Sequence, residues 1–476
     1  MILELVNGKM RVTDQRRCMG CFGCEDECAF DAVRVLRAPQ SVVGIQIEPP
    51  PQDADRCDVA IVGAGPSGLG AAITCAKAGL NTLVFERLPN RKISHHTDGG
   101  VLFTFPWLTS IQVEDDQVRF PELDIAINAS FAHKCGSLGL LGPEGLSTDN
   151  RFPAGTEGWA GNKDKFVEAL VEAAESAGAR IWFNAKVVDV LKEGNRVTGV
   201  KLDTGEEISA QVVVTADGAL AKISQKAGMQ ISQDDLWYAS VLAYEYPNNA
   251  GLPAGLYYLN GGMRFEEEMP TTFGGIGITE VIHVMLIFLS RKRTHAAPKP
   301  MDYYLERLLA SDPRIEAKVG SAVRGHDPTM VTGCRAVFRA ECNLDTVGEG
   351  VISVGDAWVD DGEIGNVTAL ANGVHAGRVI IEAIEKGDLS KAALSPANDF
   401  LTPQLVRILA QNKRMKLLET QFDAGELEQM FAFMQHMNYP VMMFGSSRQQ
   451  VVMFAKFTFK NFLRFLRYPK IAKAFF

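Results

Sequence analysis

Apolar residues in residues 57–87, CDVAIVGAGPSGLGAAITCAKAGLNTLVFER, fall into two unbroken runs, Val59–Val62 and Leu83–Phe85, separated by a glycine turn and a helix-like stretch. Short uninterrupted apolar runs mark strands buried on both faces, so this segment predicts strand, turn, helix and second strand. A related pattern recurs at GEGVISVGDAWVDDGEIGNVTALANGVHAGRVIIEAI (348–384), an apolar strand ending in Gly355-Asp356, then a loop and a helix. The longest apolar stretch, FGGIGITEVIHVMLIFLS (273–290), carries Glu280 and His283 and predicts a buried strand pair rather than a membrane-spanning helix. At the end of the chain, 448–476 predicts a helix. Lys456, Lys460, Arg464 and Arg467 form one stripe of it, and Phe454, Phe457, Thr458, Phe462 and Phe465 cover much of the remainder. That arrangement suits a helix lying in the plane of a membrane interface, or one packed with its basic stripe in water.

Composition sharpens this picture at three points. A chain of 476 residues with 46% hydrophobic and 22% charged residues is ordinary globular material. Residues 429–476 carry seven Lys/Arg and no Asp or Glu, against a total charge of −9. An acidic body with a basic, aromatic tail does not fit nucleic-acid binding and does fit contact with an anionic membrane surface. Nine cysteines spread over a long chain do not make a disulfide scaffold. With no secretory signal at the first residues, they predict a cytoplasmic protein, peripheral on the cytoplasmic membrane if the tail engages it.

Four of those cysteines are concentrated in RCMGCFGCEDECAF (17–30), where Cys18, Cys21, Cys24 and Cys28 follow C-x2-C-x2-C-x3-C. Thiolates at these spacings wrap a cubane 4Fe-4S cluster, whereas four-cysteine zinc sites usually split into two separated pairs. Cys57 is the remote candidate for a fourth ligand should Cys28 be spare; its other reading is a small buried residue opening a strand.

Gly63, Gly65 and Gly68 form G-x-G-x-x-G between the first strand and its helix. The first glycine makes the turn, the second lets backbone approach a pyrophosphate, and the third allows helix and strand to pack. Glu86, followed by Arg87, closes the second strand, where a carboxylate can bind ribose hydroxyls. Within DDGEIGN, Asp360, Asp361 and Glu363 read as a solvated loop or a metal site, and Gly365-Asn366 precede the next helix. Candidate proton donors are His95, His96 and Glu363, although a single His is more often structural than catalytic.

The Cys run and the following AFDAVRV resemble a bacterial ferredoxin cluster segment, with Ala29 where that family usually has Pro. The Gly355-Asp356 segment resembles the second FAD-contacting motif of glutathione-reductase-type flavoproteins, and VVVTADGAL (212–220), with Asp217-Gly218, resembles a third. Residues 158–229 are similar to the group containing electron-transfer flavoprotein:quinone oxidoreductases, Fix-type proteins and geranylgeranyl reductases. SHHTDGG (94–100) resembles the His-Thr loop that quinone-oxidoreductase members place near the flavin. The resemblance implies FAD as cofactor, with Asp356 on the ribityl chain and Gly365-Asn366 amides facing the flavin ring. Where many relatives place an Arg on the pyrophosphate, this chain has Asn162 and Lys163, and Lys163 supplies charge without a bidentate fork. A Cys typical of geranylgeranyl reductases is replaced by Thr97-Asp98-Gly99-Gly100, and their aromatic-rich Y-x-W-x-F-P segment is missing.

The expected fold class is α/β: a glutathione-reductase-type FAD-binding Rossmann domain over residues 56–398 with an α+β substrate domain inserted at about 101–150 and 230–335. A ferredoxin-like cap (1–55) precedes it and C-terminal helices (399–476) follow. The expected function is a flavin and iron–sulfur oxidoreductase passing electrons between the cluster, FAD and a lipophilic acceptor such as a quinone, with ferredoxin or an electron-transfer flavoprotein as redox partner. The alternatives are a ferredoxin-fused prenyl (geranylgeranyl-type) double-bond reductase and a non-catalytic electron-transfer subunit.

Overall fold

The computed structural model describes residues 3–6, 9–12 and most of 49–475; excluded are 92–107, 142–146, 152–157, 232–236, 253–256, 264–270, 291–298, 339–343, 359–364, 407–421, 442–446 and shorter stretches of one to three residues. Leu3–Val6 pairs antiparallel with Lys9–Val12 in a short hairpin. The remainder of the expected ferredoxin-like cap, including all four clustered cysteines, lies outside the described residues.

The FAD-domain sheet is built from β1 (Arg56–Val62), β2 (Thr82–Phe85), β3 (Arg180–Trp182), β4 (Val187–Glu193), β5 (Arg196–Leu202), β6 (Glu207–Thr215) and β7 (Val351–Ser353). Its order is β3-β2-β1-β6-β5-β4, with β7 also pairing with β6. β3, β2, β1, β6 and β7 are mutually parallel, and β6-β5-β4 is antiparallel. β6 divides its free side, giving Glu207–Ser209 to β5 and Val213–Thr215 to β7.

The apolar runs behave as strands buried on both faces must. Val59, Ile61, Val84, Val212 and Val214 join a core with helices α1 (Pro66–Lys77), α2 (Lys163–Ser176) and α4 (Gly365–Lys386). Their neighbours Ala60, Val62, Leu83, Phe85 and Val213 face the other way, onto β4, β5 and the short helix α3 (Lys222–Ala227). Cys57 sits in this second layer, 2% exposed, with its thiol directed at the Ser209 carbonyl 3.8 Å away. Burial pushes it up to about 12, as it does Cys75 inside α1, so both are inert packing thiols.

A second, seven-stranded sheet runs in the order 147–151, 137–141, 257–263, 271–278, 281–290, 237–247, 330–338. It draws strands from both expected substrate-domain blocks. The 273–290 stretch forms an antiparallel strand pair with Glu280 at its turn. Helix Met301–Leu309 covers this sheet, with Tyr304 edge-on to Phe288 at 5.2 Å. The first expected block is split, however. Strands 112–114, 117–120 and 125–128 form a separate meander whose Val118, Phe120, Ile125 and Ile127 alternate inward onto the FAD-domain core, Phe120 lying 6.5 Å from Phe166 of α2. Period-2 alternation alone does not say which body a strand covers.

At the C-terminus, α5 (Ala424–Met434) packs with α6 (Ser447–Arg467) through Phe433, stacked on Phe465 at 4.9 Å. Phe457 is fully buried, so Phe457 and Phe465, expected on an outward aromatic face, point inward. Among the described residues no helix is long and apolar enough to cross a membrane.

Candidate flavin site

Sheet register assembles the site. Phe85 pairs with Val62, Val62 with Thr215, and Thr215 with Ser353, so four parallel strands end in one row. Ligands of open α/β sheets bind just beyond such carboxyl ends. The residues leaving that row are Gly63–Gly65, Glu86-Arg87, Ala216–Gly218 and Gly355-Asp356, which the sequence scatters over nearly three hundred positions.

Gly63 adopts φ +105°, and a Cβ there would lie 2.3 Å from the Ala216 carbonyl oxygen. At Gly68 a Cβ would meet the Gly63 carbonyl at 2.0 Å. These two glycines are required by close approach. Gly65 differs: it is the N-cap of α1, and a Cβ built there has nothing within 4 Å among the described residues. Pro66 occupies the first turn, no side chain caps the helix and no acid lies in its first turn. The amides at this helix start therefore face open space with the positive end of the dipole behind them, which fits a pyrophosphate.

Glu86 is 5% exposed and its carboxylate fastens this turn: Oε2 accepts from the Ala64 N–H at 2.9 Å and Oε1 from the Leu88 N–H at 3.0 Å. The group expected to hold ribose thus also fixes the loop in front of it. Arg87, beside it, is exposed. Lys163 opens α2 and is half-buried. Asp356 is exposed in the short 3-10 turn after β7, whereas Gly355 is held from behind, its N–H donating to Asn372 Oδ1 at 2.7 Å. Gly365, at φ +74°, and the buried Asn366 begin α4 rather than preceding it.

Asp217 anchors its own turn. Its Oδ2 accepts from the Ile223 N–H at 2.6 Å and its Oδ1 from the Ser224 hydroxyl at 2.7 Å, tying the turn after β6 to α3. Burial pushes its carboxyl up, and these two donors pull it partly back. Ser224 continues through Thr215 (2.8 Å) to Ser353 (2.7 Å), a hydroxyl chain joining β6 to β7 under the site. Neither this chain nor Asn372 was singled out in the sequence. Asn372, a polar residue on an otherwise buried helix face, carried the available signal.

Cys18, Cys21, Cys24, Cys28, His95, His96 and Glu363 lie outside the described residues, as do Asp360 and Asp361. Among the described residues no group of three or more His, Cys, Asp or Glu is placed to hold a metal ion.

Fold and site define an FAD-binding α/β oxidoreductase. A family model described as "FAD binding domain" matches residues 56–244. The digeranylgeranylglycerophospholipid reductase of Thermoplasma volcanium is 27% identical over 356 residues, covering 70% of this chain and 80% of that protein. The probable electron transfer flavoprotein-quinone oxidoreductase YgcN of Escherichia coli is 33% identical over 178 residues, covering 37% of this chain and 39% of that protein. A solved geranylgeranyl bacteriochlorophyll reductase-like protein from Thermoplasma acidophilum superposes with a TM-score of 0.62 at 19% identity, over 88% of this chain and 98% of its own. The chain is a flavin-dependent oxidoreductase similar to the geranylgeranyl reductase and electron-transfer flavoprotein:quinone oxidoreductase-like group.

Proposed function

We propose that this protein is a flavin-dependent reductase of carbon–carbon double bonds in a prenyl lipid. That reading replaces the quinone-type acceptor favoured by the sequence with its first alternative. One observation carries it. Likeness to the quinone oxidoreductase covers 37% of the chain, about what an FAD domain alone accounts for. Likeness to the Thermoplasma reductase covers 70%, more than the 56–244 match, and so takes in chain beyond the matched FAD domain.

Reduced flavin, when bound, supplies a hydride to one carbon of a polarised or positioned double bond. The chain's own residues do the rest. The α1 amides and Lys163 hold the pyrophosphate, Glu86 keeps the phosphate turn in shape, and Asp356 orients the ribityl chain. His95, His96 and Glu363 are the proposed sources of the proton for the second carbon. The test is anaerobic incubation of the chemically reduced protein with a digeranylgeranyl glycerophospholipid, read by mass spectrometry. A gain of one H2 per saturated double bond is expected. No gain, with rapid reoxidation by a quinone analogue, returns the protein to the quinone reading.

Four thiolates at Cys18, Cys21, Cys24 and Cys28 are the donor set of a cubane 4Fe-4S cluster, and this spacing supports one such cluster as the protein's one-electron inlet. Cys28 is the fourth ligand in this reading, because the Cys57 sulfur is committed to the core. Cys21→Ser is expected to remove most iron and acid-labile sulfide from anaerobically purified protein while FAD content stays near wild type. Zinc without sulfide in the wild-type protein overturns the assignment.

A further inference from the structure

Helix α6 shows two unlike faces. Met453, Phe457, Asn461 and Phe465 recur every fourth residue and make its inward stripe, with Phe465 stacked on Phe433 of α5 and Phe457 edge-on to Phe465. The outward side is apolar where a soluble helix is usually polar. Phe459 is 86% exposed, Leu463 77%, Leu466 69% and Val451 67%, with Phe462 and Val452 also exposed. At about 100° per residue these six occupy a sector of roughly 120°. Lys456, Lys460 and Arg467, all exposed, follow directly along one edge of that sector, and the whole helix holds no acid.

The basic edge also borders a cleft of about 450 Å³ between α6 and the segment after α5. Arg448, Lys456, Lys460 and His436 line it beside Val452 and Met453. Burial, then Lys460 and Arg464, hold His436 below the ordinary histidine range, so the cleft is already crowded with positive charge. Lone exposed apolar residues need no explanation, but a contiguous apolar sector rimmed by cations does.

We propose that the outward face of α6 docks the protein on an anionic phospholipid bilayer. Phe459, Phe462, Leu463 and Leu466 enter the interface, and a lipid phosphate sits in the cleft against Arg448, Lys456 and Lys460. Charge complementarity selects this occupant. An apolar protein partner has no use for three cations converging on one edge, whereas headgroup phosphates lie at the level where apolar and aqueous regions meet. The exposed sector differs from the one read in the sequence, because the inward stripe removes Phe457 and Phe465 from it. Docking holds for any bilayer-borne substrate and does not depend on the double-bond chemistry.

Full-length flavoprotein is sedimented with vesicles of phosphatidylcholine alone or with phosphatidylglycerol added, at low and high salt. Binding is expected only to the anionic vesicles and to fade with salt. Lys456→Gln with Lys460→Gln should lower the vesicle partition coefficient roughly thirtyfold at low salt. Phe459→Ser with Leu463→Ser should lower it at least about tenfold at every salt concentration at which wild-type binding is measurable. Both variants should keep wild-type FAD content and melting temperature, since neither pair is buried. Equal sedimentation with neutral and anionic vesicles overturns the proposal, as does unchanged binding of both variants. A solution dimer that the Phe459→Ser, Leu463→Ser variant dissociates, without vesicle binding by wild type, assigns the face to a second copy and also overturns it. No turnover is measured, so failure here leaves the reductase reading standing.

Discussion

Gly65→Val is expected to give a folded, soluble protein that carries no flavin. Among the described residues nothing lies within 4 Å of the Cβ position at Gly65, so the added side chain starts into open space and calls for no rearrangement of β1 or α1. What it fills is the space in front of the uncapped amides of α1, the volume a pyrophosphate must enter. Flavin retention should therefore fall below detection while the melting temperature of flavin-free protein stays within a few degrees of wild type. Gly68→Val provides the contrast. Its Cβ would strike the Gly63 carbonyl at 2.0 Å, so it should damage the turn itself and lower stability whether or not flavin is present. Flavin released on denaturation, quantified by its fluorescence, and thermal melts of both flavin-free variants check the pair. Stoichiometric FAD in Gly65→Val would move the phosphate site away from this turn.

These two glycines illustrate what was legible in the sequence. The G-x-G-x-x-G spacing sits between an apolar strand and a helix, and each of its residues has a local geometric job, so sequence neighbours alone reveal it. Glu86 was legible for the same reason, as the residue that follows a short apolar strand. Gly355-Asp356 needed the resemblance to flavoproteins, because an apolar strand ending in Gly-Asp has many local explanations. Asp217 shows the limit. Its motif marked the right turn, yet Ser224 and the Ile223 N–H lie on a helix whose approach no local pattern specifies, and they take both carboxylate oxygens. Asn372 and the Thr215–Ser353 hydroxyl chain were missed because each matters only through a partner more than a dozen residues away in sequence. The tail failed in a related way. Helical spacing identified an amphipathic helix, but with aromatic residues all around it, only packing on Phe433 decides which of them face the protein.

Gly373→Ala is expected to destabilise the protein more than any change at an exposed residue, although it adds a single methyl group at a position far along the chain from the phosphate turn. Helices α1 and α4 cross with their backbones in contact. A Cβ at Gly373 would lie 1.8 Å from the Ser67 carbonyl oxygen and 2.9 Å from the Ala71 nitrogen. Gly70 meets the Leu370 carbonyl at 2.4 Å in the same crossing, and Gly377 faces Thr74. Backbone cannot rotate aside as a side chain does, so the helices must separate or the core must open, at a cost of about 3 kcal/mol or more. Ser67 belongs to the first turn of α1, and Asn372, next to Gly373, holds the Gly355 N–H. Separation at this point therefore moves the phosphate turn away from Asp356, uncoupling the two ends of the flavin site. Urea denaturation should show a clearly lower midpoint for Gly373→Ala, and added FAD should recover only part of the loss because the site it binds is itself distorted. Gly65→Ala, an addition of the same methyl group where no atom waits, should leave the flavin-free midpoint unchanged. Matching midpoints for Gly373→Ala and wild type would mean that α1 and α4 stand further apart than described, and that the crossing does not unite the two halves of the site.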